Sequence, residues 1–162
     1  MLRKQILRPD SETKSPKTSA STMSVADIAS VQVSSEDPSY PIDHAFDNRS
    51  GPGGTRWVAA ETGEQTIILA FDQPQRVQKV GLEIEEPETS RTQELSLAVS
   101  RDGGHTYREV LRQEYNFSPP HTTFERESWT VPVEDMTHLR LTIKPDKGNR
   151  PSRATVTSLT LQ

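Results

Sequence analysis

Ala45-Phe46-Asp47-Asn48, a Gly/Pro-rich turn, Thr55-Arg56-Trp57, Gln65-Thr66-Ile67-Ile68-Leu69-Ala70-Phe71-Asp72 and Val77-Gln78-Lys79-Val80-Gly81-Leu82-Glu83-Ile84 follow one another in this chain. An acidic turn feeds a Thr-x-Trp pair, and two β-rich runs follow with a short break between them. The run Thr66 to Phe71 is apolar enough for a strand covered on both faces. Val80 to Ile84 alternates, with branched residues on one face. That order suits a sandwich that displays binding loops at one end.

The same pattern continues outward. Leu95-Ser96-Leu97-Ala98-Val99, Trp129-Thr130-Val131-Pro132-Val133, Leu139-Arg140-Leu141-Thr142-Ile143 and Val156-Thr157-Ser158-Leu159-Thr160-Leu161 all alternate. Turn clusters separate the runs: Asp72-Gln73-Pro74, Glu86-Pro87-Glu88, Asp102-Gly103-Gly104, Ser118-Pro119-Pro120 and Pro145 to Asn149. Only Ile42 to Phe46 reads as helical, for one turn at most. Short strands between such turns predict an all-β chain, an antiparallel jelly-roll sandwich from about residue 28 to the end. The expected inward residues are Trp57, Ile67, Leu69, Phe71, Val80, Leu82, Leu97, Val99, Leu139, Leu141 and Leu159.

Composition divides the chain in two. A length of 162 residues fits one domain plus a tail, and a hydrophobic content of 31% is low enough that part of it is expected to stay unfolded. Residues 1–24 are Ser/Thr/Lys/Pro-rich and nearly free of bulky apolar groups after Leu7. Such a segment does not bury enough surface to offset its backbone entropy, so it reads as a disordered basic leader ahead of a folded body, 25–162. No apolar run follows Arg3 and Lys4, so the leader is not a secretory signal, and no membrane-spanning run occurs. With no cysteine in the chain, disulfides and thiolate metal sites are excluded. Together these favour a cytoplasmic over a secreted location. Asn48-Arg49-Ser50 and Asn116-Phe117-Ser118 then read as chance sequons. The body carries 14 basic and 21 acidic residues. A net charge near −7 lacks the basic stripe that phosphate backbones require, so no nucleic-acid partner is expected.

Pro41-Ile42-x-x-Ala45-x-Asp47, Thr55-x-Trp57 with its strand pair, Ser100-Arg101-Asp102-Gly103 followed by Tyr107, and His138-Leu139-Arg140-Leu141 appear in a characteristic order. In that order the chain resembles the discoidin (coagulation factor 5/8 type C), galactose-binding-like family, over roughly Val31 to Leu161. The resemblance implies a jelly roll of about eight strands whose members bind glycans, phospholipid head groups, collagen or other proteins. Members that bind sugars often hold a structural calcium through the Asp, loop carbonyls and a Glu on the last strand. Here the Asp is Asp47, its turn is enlarged by Arg49 to Gly54, and Ser158 stands where the Glu is expected. Calcium wants six to eight oxygens, several anionic, so Asp47 is a weak candidate and no cofactor is favoured. The stretch Arg56 to Ile67 is also similar to the N-terminal domain of the eukaryotic single-strand-break repair scaffold protein. That likeness implies an alternative role as an intracellular protein-interaction domain.

Each chemical candidate has a structural counterpart. Ser100-x-Asp102-x-Gly104-x-Thr106-Tyr107 fits the Asp-box pattern, which reads as a hairpin in which Asp102 bonds turn amides, the glycines take positive φ and Tyr107 packs. Trp57 reads as core rather than as a ligand platform. His44 and Asp47, three apart, either share a metal or cap a single turn; capping is the expected role. Glu83, Glu85, Glu86 and Glu88 read as a solvated strand end. No nucleophile elbow, His-Glu-x-x-His or phosphate-cradling glycine loop occurs, so no catalysis is expected.

Polar and aromatic residues then remain in the expected loops: Tyr40, His44 and Arg49 early, Tyr115, Asn116, Phe117 and His121 later. Sugars stack their C–H faces on aromatic rings while Arg, Asn and His fix hydroxyls, so these seven are the candidate ligand residues. The function expected from the sequence is a non-catalytic, carbohydrate-binding module, with a glycan or a protein as its partner.

Overall fold

The structure, a computed structural model, describes residues 2–7 and 22–162. Among the described residues nine strands occur in the order β1 (Arg3–Ile6), β2 (Ala29–Val33), β3 (Trp57–Thr62), β4 (Gln65–Glu85), β5 (Arg91–Ser100), β6 (Arg108–Phe117), β7 (Phe124–Lys144), β8 (Arg153–Val156) and β9 (Ser158–Leu161). A 3-10 turn spans Ile42–Phe46 as the sequence suggests, and a four-residue helix, α1 (Val25–Ile28), joins it. The result is a β-sandwich.

Two 21-residue strands form the frame of both layers. The first half of β4 pairs with β2 on one side and with the last part of β7 on the other. The second half pairs with β9 and with the first part of β7. Between the halves the register shifts three times, from Ala70 to Lys79. Such bulges bend a strand and raise its twist, which lets one strand serve two layers. The expected turn at Asp72-Gln73-Pro74 is therefore this bend and not a loop. Pro74 has no amide to give to a ladder, and it is exposed where the ladder breaks. On β7 the matching corner places Asp135 at φ 58°.

One layer runs β1-β2-β4-β7-β5-β6. In the other, β9 lies on β4, and β8, which continues into β9 with a break at Thr157, pairs with β3. Thr157 donates its amide proton to Glu83 O at 2.8 Å. A single apolar cluster fills the space between the layers, with Trp57, Ile42, Val33, Val80, Ile84 and Leu97 at 0% exposure or nearly so. Each Val, Leu or Ile so buried contributes about 1.5–3 kcal/mol. All the expected inward residues are buried except Phe71, which is only partly covered at the bend. Trp57 is core, and its indole donates to Ser35 O at 3.0 Å.

Three elements differ from the expectation. The leader is not wholly unstructured: Arg3–Ile6 pairs with β2, and in parallel, so the sandwich is not purely antiparallel. Leu2 is buried, Arg3 makes a fork to Asp72 at 3.0 and 2.5 Å, and Lys4 bonds Glu36 and Asp43. Two apolar side chains, Leu2 and Ile6, and two paired cations, Arg3 and Lys4, dock a strand that composition alone assigns to a tail. The rest of that leader up to residue 21 lies outside the described residues. Second, β6 takes in Tyr115, Asn116 and Phe117, which the sequence places in a loop. It alternates, but its outward row is charged (Arg108, Arg112, Glu114), which is how an edge strand avoids pairing with another sheet. Third, α1 was not expected.

Candidate functional site

The loop end of the sandwich is assembled from the C-terminal ends of β3, β4 and β6 and the starts of β5, β7 and β8. Along β3, Trp57 points inward, so its neighbour Arg56 points out. There the Arg56 guanidinium lies 4.9 Å from the centroid of the Tyr40 ring. Tyr40 is fixed by its own turn: it closes a bridge with Asp37, and its carbonyl accepts the Val58 amide proton at 3.1 Å. Asp37 accepts Arg153 Nη1 at 2.9 Å, and Arg153 Nη1 also reaches Ala59 O at 3.2 Å. The Ser39 amide and then Arg153 hold the Asp37 carboxyl below its usual range.

Opposite this pair stands the loop between β4 and β5. Glu86 organises it, accepting the amides of Glu88 and Thr89 at 3.0 and 3.1 Å. The same carboxylate meets Arg91 Nη2 at 2.8 Å, and Arg91 donates onward to Pro145 O at 3.0 Å. Burial pulls the Arg91 guanidinium below its usual range against the opposing pull of Glu86. The Arg91 side chain is 1% exposed, so this pair supports the loop from beneath. Between Tyr40 and Arg56 on one wall and Glu85, Glu86 and Glu88 on the other lies an open cleft of about 540 Å³, with Arg153 and Thr62 at its rim.

Tyr40 is the one expected ligand residue that lines this cleft. His44 lies behind it, its Nδ1 at 3.0 Å from Arg56 O. Arg49 is exposed on the neighbouring turn and faces a different groove, beside Glu83 and Ser128. Tyr115 and Phe117 are not loop residues: they lie on β6 with side chains inward, 5% and 2% exposed. Asn116 points outward between them and accepts Thr92 Oγ1 at 2.6 Å. His121 is exposed in the turn closed by Ser118 and Thr122. The Tyr115–Phe117 triplet alternates as a strand, so Tyr115 and Phe117 face the core and only Asn116 faces out. Arg56 could have been found, since an inward Trp57 obliges it to face out. Nothing local marks Arg153, which arrives through the β3–β8 pairing.

Of the acidic cluster only Glu88 is a solvated edge residue; Glu83, Glu85 and Glu86 are committed to protein donors. Glu83 is buried and accepts Gly51 N at 2.8 Å and Arg126 Nε at 2.9 Å. Glu85 accepts Gly53 N at 2.9 Å, and Glu86 holds Arg91. These bonds also decide whether the Asp47 turn suits the calcium implied by the family resemblance. Asp47 does not cap the 3-10 turn at its start; it accepts Arg49 N at 3.0 Å and Thr55 Oγ1 at 2.5 Å. Ser158, opposite Glu83 on β9, supplies no carboxylate. The groups that converge here are amide and guanidinium donors, whereas calcium needs converging oxygen acceptors. The turn does not fit the ion. Among the described residues no three His, Cys, Asp or Glu side chains gather in a metal-binding group.

At the opposite end, the Asp-box is the hairpin expected of it. Asp102 accepts Thr106 N at 2.9 Å and Thr106 Oγ1 at 2.6 Å, and Gly103 and Gly104 stand at φ 78° and 87°. Tyr107 packs under Arg140 at 4.1 Å with His138 edge-on.

No protein-family model matches the sequence, and no curated protein does. Solved structures do match. One is the family 32 carbohydrate-binding module of NanJ from C. perfringens in complex with galactose. It has 11% identity and a TM-score of 0.61, over 86% of this chain and 96% of that one. A pectin-binding carbohydrate-binding module matches at 18% identity and TM-score 0.61, over 83% and 90% of the two chains. The CBM32 of AlyQ in complex with 4,5-unsaturated mannuronic acid matches at 23% and 0.57, over 84% and 95%. The chain shares the β-sandwich fold of these carbohydrate-binding modules. Among the described residues no helix is long and apolar enough to cross a membrane.

Proposed function

We propose that this chain is a non-catalytic carbohydrate-binding module whose ligand sits in the cleft between Tyr40–Arg56 and the Glu85–Glu88 wall. The observation that carries the reading is the Tyr40–Arg56 stack facing carboxylates across an open cleft at the loop end. A sugar hydroxyl donates and accepts at once, so a wall of guanidinium donors and a wall of carboxylate acceptors can hold one ring between them. The aromatic ring offers a surface for C–H contact, and Arg56 fixes its orientation. Arg91, paired with Glu86 at 2.8 Å, holds the acidic wall in place from beneath. Three structures of this fold bind galactose, pectin or an unsaturated mannuronic acid, which supports the ligand class. Nothing in those likenesses supports the intracellular scaffold reading.

A glycan array probed with the full chain is the test. Binding should appear on one glycan class, and Tyr40→Ala or Arg56→Ala should weaken it at least tenfold with the melting temperature little changed. A blank array, or binding indifferent to both substitutions, removes the reading. Turnover of any glycoside removes the non-catalytic half of it.

A further inference from the structure

On the layer that carries β9, Val80, Leu82, Leu159 and Leu161 are buried, so the residues between them face outward. Two outward rows cross three paired strands there. Ser128 on β7, Gly81 on β4 and Thr160 on β9 stand opposite one another, and so do Arg126, Glu83 and Ser158. A Cβ added to Gly81 would stand 2.6 Å from Thr160 Oγ1, so the bare glycine lets that side chain lean across the strand. With no side chain at its centre this face holds a groove of about 480 Å³, and the Asn48–Ser50 arm of the enlarged first turn forms one wall. No hydrogen bond or ion pair within the described residues engages the side chains of Asn48, Arg49, Ser50, Ser128 or Thr160.

This groove adjoins the Tyr40–Arg56 cleft. Glu83 lines the groove and Glu85 lines the cleft. Two residues of one strand separate them, about 7 Å. Both carboxylates hold the same turn, through Gly51 N at 2.8 Å and Gly53 N at 2.9 Å. The crest between the two depressions is therefore low: a Cβ added to Gly51 or Gly53 would meet nothing within 4 Å, and neither glycine puts a side chain there. One sugar ring in the cleft does not reach the groove, whereas a short chain of rings passes over the crest into it. We propose that the groove is a second sugar subsite, so that the module takes an oligosaccharide and not a single terminal sugar, which presupposes that a glycan occupies the cleft. A second ring would meet hydroxyls, an amide and guanidinium groups, partners for hydroxyls that both donate and accept. Arg49 is exposed and holds no carboxylate, so its donors are open to a ligand. Arg126, tied to Glu83 at 2.9 Å, presents a second guanidinium whose position is set. No aromatic ring lines this groove, so the subsite adds affinity through hydrogen bonds, and its gain is modest beside that of the cleft.

An array of galactan, mannan, glucan and homogalacturonan fragments, from one to six sugar residues long, tests the full chain. Expected is binding that strengthens at least fivefold between one residue and four in one of these series. In Arg49→Ala, and separately in Ser128→Tyr, which fills the groove, that length advantage should fall below twofold. Tyr40→Ala should instead weaken binding at every length. Arg49 and Ser128 are both exposed, and melting temperatures within a few degrees of the parent's show that the variants fold. Tyr40-dependent binding that is equal at one and four residues, or a length advantage that survives both groove substitutions, overturns the second subsite and leaves the cleft reading standing. A blank array, or binding indifferent to Tyr40→Ala, removes the cleft reading and the subsite with it.

Discussion

Glu83 Oε1 accepts the Gly51 amide proton at 2.8 Å while its other oxygen meets Arg126 Nε at 2.9 Å. One side chain on β4 thereby ties the enlarged first turn to the sheet and to β7. Glu85 repeats the contact one pleat further on, with Gly53 N at 2.9 Å. The turn owes its shape to protein carboxylates.

Removing that tie has a measurable cost. The Glu83 side chain is 11% exposed, so its bonds are made largely out of water. Glu83→Ala leaves the Gly51 amide and the Arg126 guanidinium without their acceptor, and we expect a loss of about 2–3 kcal/mol in urea denaturation. Glu83→Gln should lose less, since its amide oxygen still accepts from Gly51. A Glu83→Ala chain as stable as the parent would show that the turn is held by other contacts.

Trp57 should be the most sensitive core position on β3. It is fully buried and its indole bonds Ser35 O, so Trp57→Ala should cost about 3–5 kcal/mol. Trp57→Phe fills much of the space but orphans that carbonyl, and about 1–3 kcal/mol should remain as a loss. Equilibrium unfolding separates the two, and equal losses would mean that volume alone matters.

Tyr115 and Phe117 divide what could be read from the sequence from what could not. Alternation of Ile67, Leu69, Leu97, Val99, Leu139 and Leu141 is a local property of each strand, and it places them correctly in the core. Long-range facts are not local. Tyr115–Phe117 reads as loop because the charged outward row of β6 hides a strand that is recognised only beside β5. The bend in β4 looks like a turn because a bulge and a turn use the same residues. The cleft drew Tyr40 from the early loop, but Arg153 and the Glu86–Arg91 support enter through pairings between distant strands. Ser158 was legible as a missing carboxylate; that Glu83 opposite it turns its own carboxylate to the glycine turn was not.

The placement of β6 gives a prediction opposite in kind to the one the sequence invites. Phe117→Ala should unfold the chain more easily, by about 3–5 kcal/mol, because it empties a core site. Tyr115→Phe removes an unbonded hydroxyl, and stability should hold or rise slightly. Glycan affinity of the folded fraction should stay unchanged in both. Loss of affinity with unaltered melting would return these residues to the ligand site.

Asp102 supplies a pH signature. Thr106 through its hydroxyl and its amide, and then the Ser100 hydroxyl, hold the Asp102 carboxyl far below the ordinary 3.8. A carboxyl depressed in the folded state binds fewer protons there than in the unfolded state. Its contribution is therefore complete above the ordinary carboxylate pKa and is lost as pH falls through the folded value. Asp102→Asn should be destabilised at pH 7, and the gap from the parent should narrow as pH drops below about 4. Denaturation curves of both proteins at matched ionic strength, collected down to about pH 2, isolate this carboxyl from Asp37 and Asp146, which are depressed in both. A gap that stays constant across that range would mean the hairpin does not depend on the charge of Asp102.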